Sequence, residues 1–120
     1  MYDIQMGDIT YQFLEMIWAS APIRSTKLVH MASEALGWKK PTTYTVIRRL
    51  SEKGIIKNED STVTVLVSKE RFLAEQSDRF IEENFGGSLP MFLAAFASTH
   101  ELSEEDLACL RKLISKKGDE

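Results

Sequence analysis

Apolar residues recur every three to four positions through three early segments, give way to one β-branched stretch, and then recur at helical spacing to the end of the chain. Ile9, Phe13, Met16 and Ile17, with Trp18 beside them, mark a first helix that starts after Asp8 and runs to about Ala19. Asp8 has the chemistry of an N-cap. Pro22 stops that helix, and Ala21-Pro22-Ile23 reads as a short extended link. Ser25 then caps a second helix with Leu28, Val29, Ala32 and Leu36 as its buried stripe, and Gly37 ends it. Pro41 suits the first turn of a third helix that reaches about Lys53 and is closed by Gly54.

Within that third helix, Thr43, Val46, Ile47 and Leu50 fall in one arc, and Tyr44, Thr45, Arg48, Arg49, Glu52 and Lys53 lie outside it. The stretch IIKNEDSTVTVLV follows. Ile55-Ile56-Lys57 is β-like, Asn58 to Ser61 is turn chemistry, and Thr62 to Val67 is β-branched, which together predict a two-stranded hairpin. Val63, Val65 and Val67, or their alternates, would cover the core. Ser68 begins a long helix to about Phe85, with Phe72, Leu73, Phe80 and Ile81 among its apolar positions. Gly86-Gly87 breaks it, and Ser88 caps a short apolar helix from Leu89 to Ala97. Ser103 with Asp106 resembles a capping box, and Leu107, Leu110 and Leu113 or Ile114 line a last helix to about Lys117, before a charged, frayed tail.

The order three helices, hairpin, helices predicts a mainly α protein with a small β-hairpin: a winged helix-turn-helix plus a carboxy-terminal helical dimerisation region. The boundary falls at 67, giving residues 1–67 and 68–120.

Composition changes this picture little, but charge changes it more. A chain of 120 residues with 43% hydrophobic and 28% charged residues is an ordinary globular composition. The net charge of −3 argues at first against a polyanionic partner. Its distribution argues for one. From Arg24 to Lys57 eight bases face two acids, a net +6, while the rest of the chain carries seven bases and sixteen acids, a net −9. A basic window in an acidic chain is an electrostatic footprint for phosphate.

The outward side of the third helix fits that partner. In a helix-turn-helix this element enters the major groove of double-stranded DNA, where threonine, tyrosine and arginine can reach base edges. Tyr44, Thr45 and Arg48 are the candidates for base contact. Thr42 and Arg49 lie towards the edge of the arc, and Lys39, Lys40 and Lys53 stand at its ends to neutralise phosphates. Ser25 or Thr26 could hold a phosphate at the second helix, although capping is the simpler role for Ser25. The hairpin tip, Asn58-Glu59-Asp60-Ser61, has two acids and no base, so the wing is expected to add little affinity.

The segment FGGSLPMFLAAFAS is too apolar for a surface helix and too large for a small winged domain to bury. Packing against a second copy resolves this. Phe85, Leu89, Met91, Phe92 and Phe96, with Leu107 and Leu110 from the last helix, are the expected dimerisation residues. Folding back on the winged domain is the alternative.

Other chemistry is scarce. Cys109, the single cysteine, excludes an internal disulfide and a multi-cysteine metal site, and its place near the apolar side of the last helix suits a small buried hydrophobe. His30 and His100 are isolated, so no metal or cofactor is expected. Trp38 reads as a packing anchor. No catalytic constellation is present, so the chain is not expected to be an enzyme. Neither a secretory signal nor a membrane-spanning run is visible, so a cytoplasmic protein without membrane insertion is expected.

The chain resembles the penicillinase-repressor family of bacterial transcription regulators. The resemblance runs through Ile9 to Trp18 with its LEMIW ending, Gly37-Trp38, PTTYTVIRRLSEKGII, LVSKERF, FGGSLPMFLAAF and ELSEEDLACLRKLI. It implies a homodimeric repressor on an inverted-repeat operator with TACA/TGTA-like half-sites. It also implies release by a membrane sensor-protease, or by metal in the copper-responsive branch. Thr42, Thr45 and Arg49 occupy matching recognition-helix positions, while Tyr44 and Arg48 occupy variable ones. The copper-responsive branch has a cysteine-rich carboxy terminus, and this chain ends RKLISKKGDE without one. Resistance repressors of the family are cut at an Asn-Phe bond in the short helix; here that position is Ala95-Phe96, and Asn84-Phe85 stands before the double glycine. A winged-helix protein-interaction module without DNA binding is the rival reading, prompted by the acidic wing tip and the net negative charge.

Overall fold

The computed structural model describes residues 7–118, with side chains to residue 116. Its elements are α1 (Asp8–Ser20), β1 (Ile23–Arg24), α2 (Ser25–Leu36), α3 (Lys40–Glu52), β2 (Ile56–Glu59), β3 (Thr62–Val65), α4 (Lys69–Phe85), α5 (Leu89–Ala97) and α6 (Glu104–Gly118). They divide into two compact units, the first ending at Ser77 and the second beginning at Asp78, so the division falls inside α4. The charged tail after Gly118 lies outside the described residues.

The first unit is a winged helix built on one core. Phe13, Leu14 and Ile17 enter it from α1, Leu28 and Ala32 from α2, and Val46, Ile47 and Leu50 from α3. Ile55, Ile56, Val63 and Val67 close it from the sheet side, and Phe72 from the first turn of α4. Each large side chain so buried is worth about 1.5–3 kcal/mol, which makes this cluster the main stabiliser of the unit. Ile9, expected on the apolar face of α1, is exposed, because it sits in the first turn beyond the edge of the core.

The hairpin is part of a three-stranded antiparallel sheet in the order β1-β3-β2. Ile23 pairs with Val63 and Arg24 with Thr62, so the link after Pro22 serves as an edge strand. Two residues are too few for an alternating pattern, so periodicity could not reveal it. On the other side Ile56 faces Val65 and Glu59 faces Thr62. The turn needs only Asp60 and Ser61, both left-handed at φ 52° and 59°, which matches a two-residue type I′ hairpin. Strand β2 therefore runs on through Asn58 and Glu59, which the sequence assigns to the turn.

Helix ends deliver the next element in register. At the end of α3 the Gly54 N–H donates to the Ser51 carbonyl (3.0 Å) and the Ile55 N–H to the Leu50 carbonyl (3.1 Å). This is a Schellman closure, with Gly54 at φ 79° where a side chain would be strained, and it commits both Leu50 and Ile55 to the core. Between α2 and α3, the Trp38 ring packs 4.9 Å from that of Phe13 and anchors the turn as expected. The start of α4 is tied to α1: the Trp18 indole N–H donates to the Val67 carbonyl at 2.9 Å, and its ring lies 5.4 Å from Phe72. Lys69 donates to the Glu15 carboxylate at 2.9 Å, and that hydrogen bond and charge raise the Lys69 pKa.

The second unit holds the end of α4, then Gly86 and Gly87, both at positive φ, then α5 and α6. Its aromatic rings meet in a chain, Phe80 to Phe85 at 6.0 Å, Phe85 to Phe92 at 5.6 Å and Phe92 to Phe96 at 6.5 Å. None of its described residues is buried, and Leu89, Met91, Phe96, Leu113 and Ile114 are exposed.

Capping separates the first three helices from the last three. Asp8 and Ser25 are the first residues of α1 and α2 rather than their caps; Gly7 and Arg24 stand in the cap positions, and neither helix has a side-chain cap. By contrast Ser68, expected to begin its helix, caps it, and Ser88 and Ser103 cap as expected: their hydroxyls accept from the N–H groups of Arg71, Met91 and Asp106. Ser103 and Asp106 complete the box, because the Ser103 N–H also donates to the Asp106 carboxylate.

Candidate nucleic-acid interface

Helix α3 divides along the predicted arc. Thr43, Val46, Ile47 and Leu50 are buried, and Thr42, Arg48, Arg49, Glu52 and Lys53 are exposed. Lys39 and Lys40 are exposed at its amino-terminal end, where Lys39 is the cap residue and no side chain caps the helix. Two lysines thus stand beside the positive end of the helix dipole, a pairing suited to phosphate. Arg48 and Glu52 approach to 3.9 Å with both side chains well exposed, a contact weak enough to yield to a stronger anion.

The hydroxyls on this helix are more committed than residue type alone suggests. Thr45 Oγ1 donates to the Pro41 carbonyl at 2.9 Å, Ser51 Oγ to the Ile47 carbonyl at 2.8 Å, and Thr43 Oγ1 to the Lys39 carbonyl at 3.4 Å. Tyr44, placed by the sequence near the centre of the exposed arc, is half-buried and packs against the core. Its hydroxyl lies 3.3 Å from that of Ser25. Ser25 itself is only 2% exposed, and its N–H donates to the Ser61 carbonyl at 2.9 Å. The pairing of β1 with β3 draws Ser25 beneath the surface, which removes it as a cap and as a phosphate ligand. What it does instead is join the start of α2 to both α3 and the wing.

The wing tip differs in charge from its own sequence. Lys57 pairs with Glu59 across the exposed face of β2. Arg24, from β1, donates through Nη1 to the Asp60 carbonyl at 3.3 Å. The tip therefore gathers two bases around its two acids. Arg24 belongs to the basic window of the sequence, and its place beside the tip comes from the antiparallel pairing that carries it to Thr62, a non-local contact.

The remaining candidates sit apart from this surface. His30 pairs with Glu34 at 3.0 Å on the exposed side of α2, and the His100 ring stacks on Phe96 at 4.4 Å. Among the described residues no group of three His, Cys, Asp or Glu side chains could hold a metal, and no helix is long and apolar enough to cross a membrane. Cys109 is exposed, contrary to expectation. At roughly 100° per residue it falls off the Leu107–Leu110 stripe and onto the side of Leu113, which is itself exposed. Of the expected dimerisation residues, Leu89, Met91 and Phe96 are exposed, while Phe85, Phe92, Leu107 and Leu110 are half-buried.

A three-helix core, a wing and a third helix whose exposed side carries arginines and lysines define a winged-helix DNA-binding protein. Comparison with known proteins makes this narrower: the family model described as Penicillinase repressor matches residues 6–116. The chain belongs to the penicillinase-repressor family, whose members are DNA-binding repressors and not enzymes. It is 22% identical to the methicillin resistance regulatory protein MecI of Staphylococcus aureus strain N315, over 97% of this chain and 96% of that one. An uncharacterized 16.5 kDa protein encoded 3′ of ptsI in Latilactobacillus sakei is 23% identical over 90% of this chain and 77% of its own length. Among solved structures, the monomeric form of Bacillus licheniformis BlaI in complex with the blaP half-operator matches 57% of this chain and 88% of that one, at 21% identity and a TM-score of 0.49. A MarR protein from Peptoclostridium difficile matches 93% of this chain and 68% of its own, at 20% identity and a TM-score of 0.40.

Proposed function

We propose that the chain represses transcription as a homodimer, with each α3 seated in the major groove of one half of an inverted-repeat operator. The observation that carries this is the division of α3 into a buried apolar arc and an exposed side bearing Arg48 and Arg49, flanked by Lys39 and Lys40. Arg48 and Arg49 donate to bases or clamp phosphates; Lys39, Lys40 and Lys53 neutralise phosphates; Thr42 and Thr45 complete the face. Tyr44 acts mostly through the bracing of its hydroxyl against Ser25. The exposed apolar side chains of α5 call for a partner, and a second copy supplies one while spacing two recognition helices by one or two turns of DNA. Release by a membrane sensor-protease belongs to the same reading, with Ala95–Phe96 in α5 as the bond to examine.

The rival reading, an interaction module without DNA binding, draws on the acidic wing tip and the net negative charge. Arg24 and Lys57 offset the acidity of the tip, which weakens the first of these motives.

Selection of bound duplexes from a random pool tests the proposal. An inverted repeat should emerge, and replacing Arg48 and Arg49 together by alanine should abolish preference for it without unfolding the chain. Lys39→Ala should weaken binding to all duplexes alike and reduce the salt slope by about 0.9, one phosphate's share. Flow-through on random duplex at low salt would reject the DNA reading outright.

A further inference from the structure

Resting on the assignment of α3 as the recognition helix, we propose that Thr45 reads a thymine through its methyl group and not a base through its hydroxyl. Thr45 is half-exposed and lies in the amino-terminal half of α3, the part of a recognition helix that meets base edges. Its residue type offers three ways to contact a base: hydroxyl donation, hydroxyl acceptance and methyl contact. The structure removes the first. Oγ1 lies 2.9 Å from the Pro41 carbonyl, one helical turn back, so its proton is committed to the main chain. The oxygen keeps acceptor capacity, so methyl contact and hydroxyl acceptance are the two modes that remain, and the Thr45→Val variant below distinguishes them. Donation to a base would break an internal hydrogen bond to make an external one, an exchange with little net gain.

A methyl group in the major groove has one complementary feature among the four bases, the 5-methyl of thymine. Donation to base edges is then left to Arg48 and Arg49, whose side chains are exposed. The face divides its labour: guanidiniums for polar edges, Thr45 for an apolar one.

The test uses the full-length chain on its selected duplex, with each thymine replaced in turn by uracil, which lacks only the 5-methyl. At one position in each half-site the replacement should weaken wild-type binding about four-fold, the equivalent of ~0.8 kcal/mol for one buried carbon. Thr45→Ser, which keeps the hydroxyl and loses the methyl, should bind the thymine duplex about four-fold more weakly and be indifferent to uracil there. Thr45→Val, which keeps a methyl and loses the hydroxyl, should bind within about two-fold of wild type and retain the uracil effect; thermal melts confirm that both variants are folded. A ten-fold or larger loss in Thr45→Val would show the hydroxyl in use and overturn the proposal. So would wild-type binding with no uracil effect at any position, a result that leaves the repressor reading standing. Absence of any preferred duplex would instead overturn that reading, and this proposal with it.

Discussion

Helix α5, LPMFLAAFA, is the most apolar helix of the chain and buries none of its residues, whereas α3, KPTTYTVIRRLSE, is polar on average and buries four. The difference lies in what stands opposite. Four positions of α3 meet α2, the sheet and Ile55 in one core, while α5 has abundant apolar surface and no closed core of its own. Apolar content measures a helix's demand for a partner, and the fold decides whether that demand is met within the subunit. Capping runs the other way. Helices α1, α2 and α3, held by the core, have no side-chain caps, and α5 and α6, which bury none of their described residues, each have a serine cap; α4 has both a cap, Ser68, and a core residue, Phe72. Packing can hold a helix whose ends are open to water; a helix with little packing depends more on its ends.

The largest effect that would break this contrast comes from the first unit. Phe13→Ala empties a fully buried site between α1 and the Trp38 turn and should cost about 3–5 kcal/mol in urea denaturation, independent of protein concentration. A loss under 1 kcal/mol would mean that the core is not what holds α3 in place. Phe96→Asp probes the second unit. An exposed apolar side chain that contacts its twin is lost twice in a twofold interface, about 3 kcal/mol, so self-association measured by sedimentation should weaken roughly a hundred-fold. The urea transition of the first unit should stay where it was. Unchanged association would remove α5 from the interface and leave its apolarity without an explanation.

Much of this was legible in the sequence, for reasons that differ by element. The inward arc of α3 could be read because Thr43, Val46, Ile47 and Leu50 repeat over about two turns, enough for periodicity to speak. Gly54 and the double glycine could be read because each sits where the chain must leave a helix. Strand β1 could not, since two residues have no period and its pairing with β3 is non-local. The positions of Ser25, Tyr44 and Arg24 were hidden for the same reason: each is set by that strand pairing or by the contact of α2 with α3, neither of which leaves a mark in local sequence. Thr45 could be read as a candidate for base contact, but the direction of its hydroxyl could not, because a threonine in mid-helix can bond backward or outward.

The smallest effect sharpens the capping half of the contrast. Ser103 and Asp106 exchange hydrogen bonds at the start of α6, the Asp106 N–H to Ser103 Oγ at 3.0 Å and the Ser103 N–H to the Asp106 carboxylate at 3.4 Å. Three acids in that first turn also complement the positive end of the helix dipole. Ser103→Ala removes one partner of the box and should cost about 1 kcal/mol locally. Amide hydrogen exchange at the first turn of α6 should accelerate about five-fold, with the core amides of α1 and α3 unmoved. Asp8→Ala is the matched change in the first unit: an acid in the first turn of α1 that makes no cap bond, and whose loss should shift exchange there by less than about 0.5 kcal/mol. Were the two substitutions to act alike, local caps and buried packing would not be the alternatives that these helices present, and α6 would have to owe its order to contacts made elsewhere.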